Sequence, residues 1–151
     1  MNDVCNMCVI ADALPDELIL RSSDEWIVYS HPEYGHSGAV FIQARRHVEG
    51  LWHLDRAQTD TLGVMLQTTA AAVKDVTSAE RVYAVSFGEQ DLHFHVVMLP
   101  RTVDSPGAKR GALLVAERLG QKEKRSKKAD AATLDQLRSS LGSHVDKPSQ
   151  D

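Results

Sequence analysis

Long apolar runs are missing from this 151-residue sequence, and so are the compositional marks of several special classes of protein. No stretch approaches the roughly 20 apolar residues that cross a bilayer, so no membrane partner is expected. Two cysteines are too few for a disulfide scaffold. Nine glycines and five prolines without a period exclude a collagen-like chain. The amino terminus, MNDVCNMCVIADALPDE, has neither a basic leader nor an apolar stretch ending in a cleavage site, so a cytoplasmic, reducing location is expected. Also absent are a Gly-x-x-x-x-Gly-Lys phosphate loop and the familiar Ser and Cys nucleophile motifs.

What is present describes a globular protein large enough to bury its own core: 42% apolar residues, 25% charged and a net charge of −4. The charge is uneven. Residues 101–130 hold nine Lys or Arg against four Asp or Glu, and the run QKEKRSKKAD supplies most of that excess. The run has no aromatic residue for stacking on bases, so it reads as a solvated linker or helix face, and nucleic acid is not expected as a partner.

Alternating and short apolar segments bounded by turn residues predict strands over residues 17–22, 26–30, 39–43, 81–87 and 91–99. Pro100 is expected to end the last strand. A long helix opens at Leu54-Asp55, with Asp55 as its cap, and runs to about Val76, because Leu62, Met65, Leu66, Thr69 and Val73 recur at helical spacing. Two shorter helices follow over 112–119 and 131–141, after a turn at Asp104-Ser-Pro-Gly107, and residues 142–151 are expected to fray. The order predicts an α+β fold on an antiparallel sheet. Residues 1–106 read as one domain and 107–151 as a helical carboxyl-terminal extension.

Two features carry chemistry. One is Cys5-Asn-Met-Cys8, which in a reducing compartment is a redox pair or half of a metal site. A metal would need two more soft or borderline ligands, for which His47 and His93 are available beside strands and His31 and His36 in a loop. The other is Asp91-Leu-His93-Phe-His95-Val-Val97-Met-Leu-Pro100-Arg101. On a strand, Leu92, Phe94, Val96 and Met98 share one apolar face, while Asp91, His93, His95, Val97 and Leu99 share the other. Two imidazoles at i and i+2 point to metal binding or catalysis. His53, His144 and Arg45-Arg46 read as ordinary surface, tail and strand-end residues.

Together these segments resemble the histidine triad (HIT) family of nucleotide hydrolases and transferases, whose signature is His-φ-His-φ-His-φ-φ. Residues 4–101 show the pieces of the zinc-containing bacterial type in order: Cys5 and Cys8, then GAVFIQARRHVEGLWHL, the long helix, and GEQDLHFHVVMLPR. Only two of the three histidines are present. Anchored on Pro100-Arg101 and Gly88, His93 is first, His95 middle and Val97 third. A rival register puts Asp91 first, His93 in the middle and His95 last, at the expense of two extra residues before Pro-Arg.

The resemblance implies a HIT-like fold with a five-stranded antiparallel sheet, assembled as a homodimer. It implies a structural Zn2+ on Cys5, Cys8, His47 and His93, and His95 as the nucleophile toward the α-phosphate of a purine nucleotide. The substrate would be a dinucleoside polyphosphate or a nucleoside phosphoramidate. Gln90 stands where the family has a phosphate-contacting serine, Ser86 maps near its phosphate-contacting asparagine, His31 near its ribose-contacting acid, and Val97 at its third histidine. Because valine cannot donate a hydrogen bond, the alternative is a zinc-stabilised nucleotide-binding or scaffold protein with weak or no turnover.

Overall fold

Strands form where β-branched and aromatic residues cluster, and three of them carry apolar side chains on both faces. The structure, a computed structural model, describes residues 4–34, 38–103, 109–120 and 130–143. Its strands are β1 (Ile19–Ser22), β2 (Trp26–Tyr29), β3 (Val40–Ala44), β4 (Arg81–Val85) and β5 (His95–Arg101). They make one antiparallel sheet in the order β1-β2-β3-β5-β4. Every residue of β2 and β3 is buried, as expected for strands covered on both sides.

The helices are α1 (Asn6–Asp12), α2 (Arg56–Thr77), α3 (Ala112–Gly120) and α4 (Ala131–Ser143). On one face of the sheet Trp26, Val28, Ile42, Phe94, Val96 and Met98 form a core with Met65, Ala72 and Val73 of α2 and Leu134, Leu137 and Leu141 of α4. On the other face Ile27, Tyr29, Phe41, Val97 and Leu99 pack with Met7 of α1 and Val115 of α3. α2 starts as its sequence dictates. Asp55 accepts from the Gln58 backbone N–H at 2.9 Å and Gln58 returns its side-chain oxygen to the Asp55 N–H at 3.1 Å, a complete capping box. Gly38, at φ +81°, enters β3 so close to Thr77 that a Cβ would lie 2.2 Å from the threonine methyl.

Several expected bounds are corrected: the first strand begins at Ile19 after a short 3-10 turn over Asp16–Leu18, and the fourth ends at Val85 instead of residue 87. The last strand begins at His95, not Asp91, and runs through Pro100 to Arg101. Beyond Met98 β5 is paired by β4 alone, which leaves room for a residue without an N–H. Leu92 therefore leaves the apolar face and is 60% exposed, although Phe94, Val96 and Met98 keep the predicted alternation. A helix, α1, forms over the Cys-x-x-Cys segment that showed no helical signal. Gly142 and Ser143, expected in the frayed tail, still belong to α4, and the rest of that tail lies outside the described residues. His36, His144, the 104–107 turn and most of the basic run lie outside the described residues.

Candidate functional site

The cysteines arrive at the sheet on α1. Cys5 is its N-cap residue and Cys8 lies within its first turn. Both thiols face His93, with sulfur to Nδ1 distances of 3.4 Å for Cys5 and 3.3 Å for Cys8, and Cys8 Sγ is 3.6 Å from His47 Nδ1. The four donor atoms lie within 4.8 Å of one another. Metal–ligand bonds of about 2.3 Å to sulfur and about 2.0 Å to nitrogen put tetrahedral donor atoms roughly 3.3–3.8 Å apart, so the group needs little adjustment to enclose an ion.

The surroundings of His93 fit the same reading. His93 is fully buried and its Nε2–H donates to the carbonyl of Ala44 at 2.7 Å, which leaves the Nδ1 lone pair pointing at the thiols. Burial holds the His93 imidazole below its ordinary pKa, in the neutral form a metal requires. The Cys8 thiol is pushed up to about 11, first by burial and then by its neighbour Cys5. This shift is opposite in direction to that of an activated redox cysteine. The Cys2His2 cluster is one that could hold a metal ion.

Beyond His93 the chain turns outward. The carbonyl of His93 accepts the Nδ1–H of His95 at 2.7 Å, so the neutral His95 ring keeps its lone pair on Nε2. His95 is half-buried and lines an open hollow of about 250 Å³. Val97, 4% exposed, lies in the same wall, paired across the sheet with Phe41 and Val85.

His31 follows β2 and faces the same hollow. Its Nδ1 accepts from the backbone N–H groups of Glu33 at 3.0 Å and Tyr34 at 3.2 Å, so its proton resides on Nε2. The ring is packed against Phe41 and Tyr34 with centroids 4.8 and 4.9 Å away. Burial lowers its pKa to about 4, against the upward pull of Glu33 and Asp91, while nearby His95 adds to the lowering.

Of the remaining expected site residues, Gln90 lines the hollow, whereas Ser86 does not: its neighbours Val85 and Phe87 do, and Ser86 is exposed past the end of β4. Asp91, Phe41, Tyr34, Met7 and Leu119 line it as well. Phe41 was legible as the cross-strand neighbour of Val97 once the strands are paired. Met7 and Leu119 come from distant parts of the chain and left no local signal. The strand-end arginines serve packing. Arg45 donates to the carbonyl of Ser23 at 2.6 Å, and Arg46 ties the start of α2 through Gln58 at 3.0 Å and Asp55 at 3.3 Å.

Solved structures share this fold. The zinc-bound histidine triad family protein from Mycobacterium smegmatis matches at 14% identity and TM-score 0.66, over 92% of this chain and 94% of that one. A hypothetical histidine triad nucleotide-binding protein from Sulfolobus tokodaii matches at 15% and 0.63, over 93% and 91%. The chain has the histidine triad fold. A HIT-like protein involved in cell-cycle regulation from Bartonella henselae, solved with an unknown ligand, matches at 16% and 0.59, over 87% and 92%. No family model and no curated protein matches the sequence. At such identities the likeness is one of fold, and the chemistry must be read from this chain's own residues.

Proposed function

We propose that this protein is a histidine triad nucleotide hydrolase or transferase acting at the α-phosphate of a purine nucleotide, with His95 as nucleophile. One observation carries the reading: His95 lines an open hollow with its Nδ1 held by the His93 carbonyl, an arrangement that in the neutral ring leaves the lone pair on Nε2. In the first step Nε2 attacks the α-phosphorus. A P–N bond forms, the bond from phosphorus to the leaving oxygen or nitrogen breaks, and the leaving group takes that electron pair and then a proton from solvent. Water cleaves the P–N bond in the second step, releasing a nucleoside monophosphate and the free imidazole. In-line placement governs both steps more than acid strength does, and a ring anchored on a paired strand supplies that placement.

Gln90 can donate its amide to phosphate oxygens, and His31 presents an Nε2–H. Zn2+ is the ion we propose for Cys5, Cys8, His47 and His93, since two thiolates and two imidazoles suit it. When bound it supplies folding energy and no chemistry of its own. A homodimer in the cytoplasm, with residues 1–106 as the nucleotide domain and 107–151 as an extension whose α4 docks on α2, completes the proposal.

The test is turnover of dinucleoside polyphosphates and adenosine phosphoramidates by the protein and by His95→Ala. Equal rates, or no turnover in either, removes the catalytic reading. A second reading is favoured by Val97, an apolar, buried residue at the hollow where a donor would serve the phosphate. A protein that binds nucleotide with no release of monophosphate would be a zinc-stabilised binding module.

A further inference from the structure

The helix that carries the two cysteines is also a wall of the hollow. Met7 lines it beside His95, and Asn6 and Ile10 line an adjoining hollow of about 360 Å³ that shares His31, Tyr34, Gln90 and Asp91 with the first. α1 has seven residues, too few to hold helical form without tertiary support. Besides the packing of Met7 in the core, two polar ties fix it to the sheet. Cys5 and Cys8 meet His47 and His93, and Gln43 bridges from β3. Gln43 is 1% exposed, accepts from the Tyr29 hydroxyl at 2.9 Å and donates to the carbonyl of Met7 at 3.0 Å. His93 adds a third connection, its ring in the metal cluster and its carbonyl on the His95 ring.

We propose that Gln43 is a positioning residue for the nucleotide site, and that metal and nucleotide binding are coupled through α1, each tightening the other. The inference rests on the nucleotide reading above. Its physics is that of a shared wall. If α1 lifts, the first hollow loses Met7 and the second loses Asn6 and Ile10, so a ligand must re-dock the helix out of its own binding energy. A metal that has already docked it removes that cost. The coupling is reciprocal by necessity: whatever factor zinc adds to nucleotide affinity, nucleotide adds to zinc affinity.

Gln43→Met separates the two ties, since methionine matches glutamine in length but neither accepts from Tyr29 nor donates to Met7, and every metal ligand remains. The probe is adenosine 5′-monophosphate, titrated calorimetrically into zinc-loaded and zinc-stripped protein, with zinc affinity measured by chelator competition in its presence and absence. We expect stripping to weaken nucleotide binding about fivefold or more, and nucleotide to tighten zinc by the same factor. Zinc-loaded Gln43→Met should bind one zinc and bind nucleotide several-fold more weakly.

Hydrogen exchange on the zinc-loaded natural protein needs no variant and no stripped form, and α1 amides should slow when nucleotide binds. Unchanged exchange in α1, or zinc affinity indifferent to a nucleotide that does bind, overturns the coupling while sparing the nucleotide reading. Absence of nucleotide binding to the zinc-loaded natural protein overturns both.

Discussion

The backbone carbonyl of His93 holds the Nδ1–H of His95 at 2.7 Å, so the residue whose ring meets the thiols also fixes the ring that meets the hollow. A neutral imidazole bonded this way has one nucleophilic nitrogen, and its direction is set by the strand. Rapid quenching with an adenosine phosphoramidate should therefore trap a mass increment of one nucleotidyl group, acid-labile and located on His95. His95→Ala should lack the adduct and lose about a thousandfold or more in kcat, with its melting temperature little changed. An adduct on any other residue would move the nucleophile elsewhere.

Metal removal should destabilise the fold. Ligands come from α1, from the segment after β3 and from the segment before β5, so one ion closes two long loops. An ion present at a thousand times its dissociation constant adds about 4 kcal/mol to the folded state. For a chain of this size that corresponds to roughly 10 °C of melting temperature. Chelator with verified metal loss, or Cys8→Ser, should lower the melt by that order. Because the free Cys8 thiol titrates near 11, zinc uptake should expel a proton at neutral pH and weaken as pH falls. An unchanged melt after complete metal loss would mean that the four residues do not share an ion.

His31 makes stability depend on pH, and the sign follows from its burial. Its pKa is about 4 in the folded protein and about 6.5 in the open chain, so between those values the unfolded state binds more protons. Stability is therefore undiminished above about pH 6.5 and declines as pH falls toward 4. The full loss is about 3 kcal/mol. Urea midpoints across this window should flatten in His31→Asn, whose side-chain oxygen can still accept from the Glu33 and Tyr34 backbone. A slope identical in both proteins would assign the effect to other groups.

Much of the fold was legible because local signals and burial agree. Asp55 capped where its side chain demanded, and Trp26–Tyr29 and Val40–Ala44 are strands because both their faces are covered. The error at β5 has a physical cause. Alternation specifies which way side chains point but not which residues find a pairing partner, and residues 91–94 are held instead by single bonds such as Phe94 N–H to the Val48 carbonyl at 2.6 Å. α1 was invisible because seven residues carry no periodic stripe, and its helix depends on the sheet it docks against. Gln43 read as one more strand residue. Its role depends on Tyr29 and Met7, which only the folded chain brings to it. The cysteine–histidine group was foreseen from resemblance to a family, whereas the way Met7 and Leu119 close the hollow required coordinates.

Val97 gives the sharpest test of what a hydrogen-bond donor at this position would add. It is 4% exposed, it sits opposite Phe41 and Val85, and it shares the hollow with His95. Val97→His would place an imidazole donor on the same face as His95, one residue pair further along β5. Burying a larger, polar ring should cost about 1–3 kcal/mol, visible as a lower urea midpoint. If hydrogen bonding to the phosphate or leaving group limits the natural protein, kcat should nevertheless rise about tenfold or more, since each 1.4 kcal/mol of transition-state stabilisation is a factor of ten. A stable variant with unchanged kcat would show that chemistry at His95 proceeds without a third imidazole. In that case Val97 belongs to a site adapted to a leaving group that departs unaided.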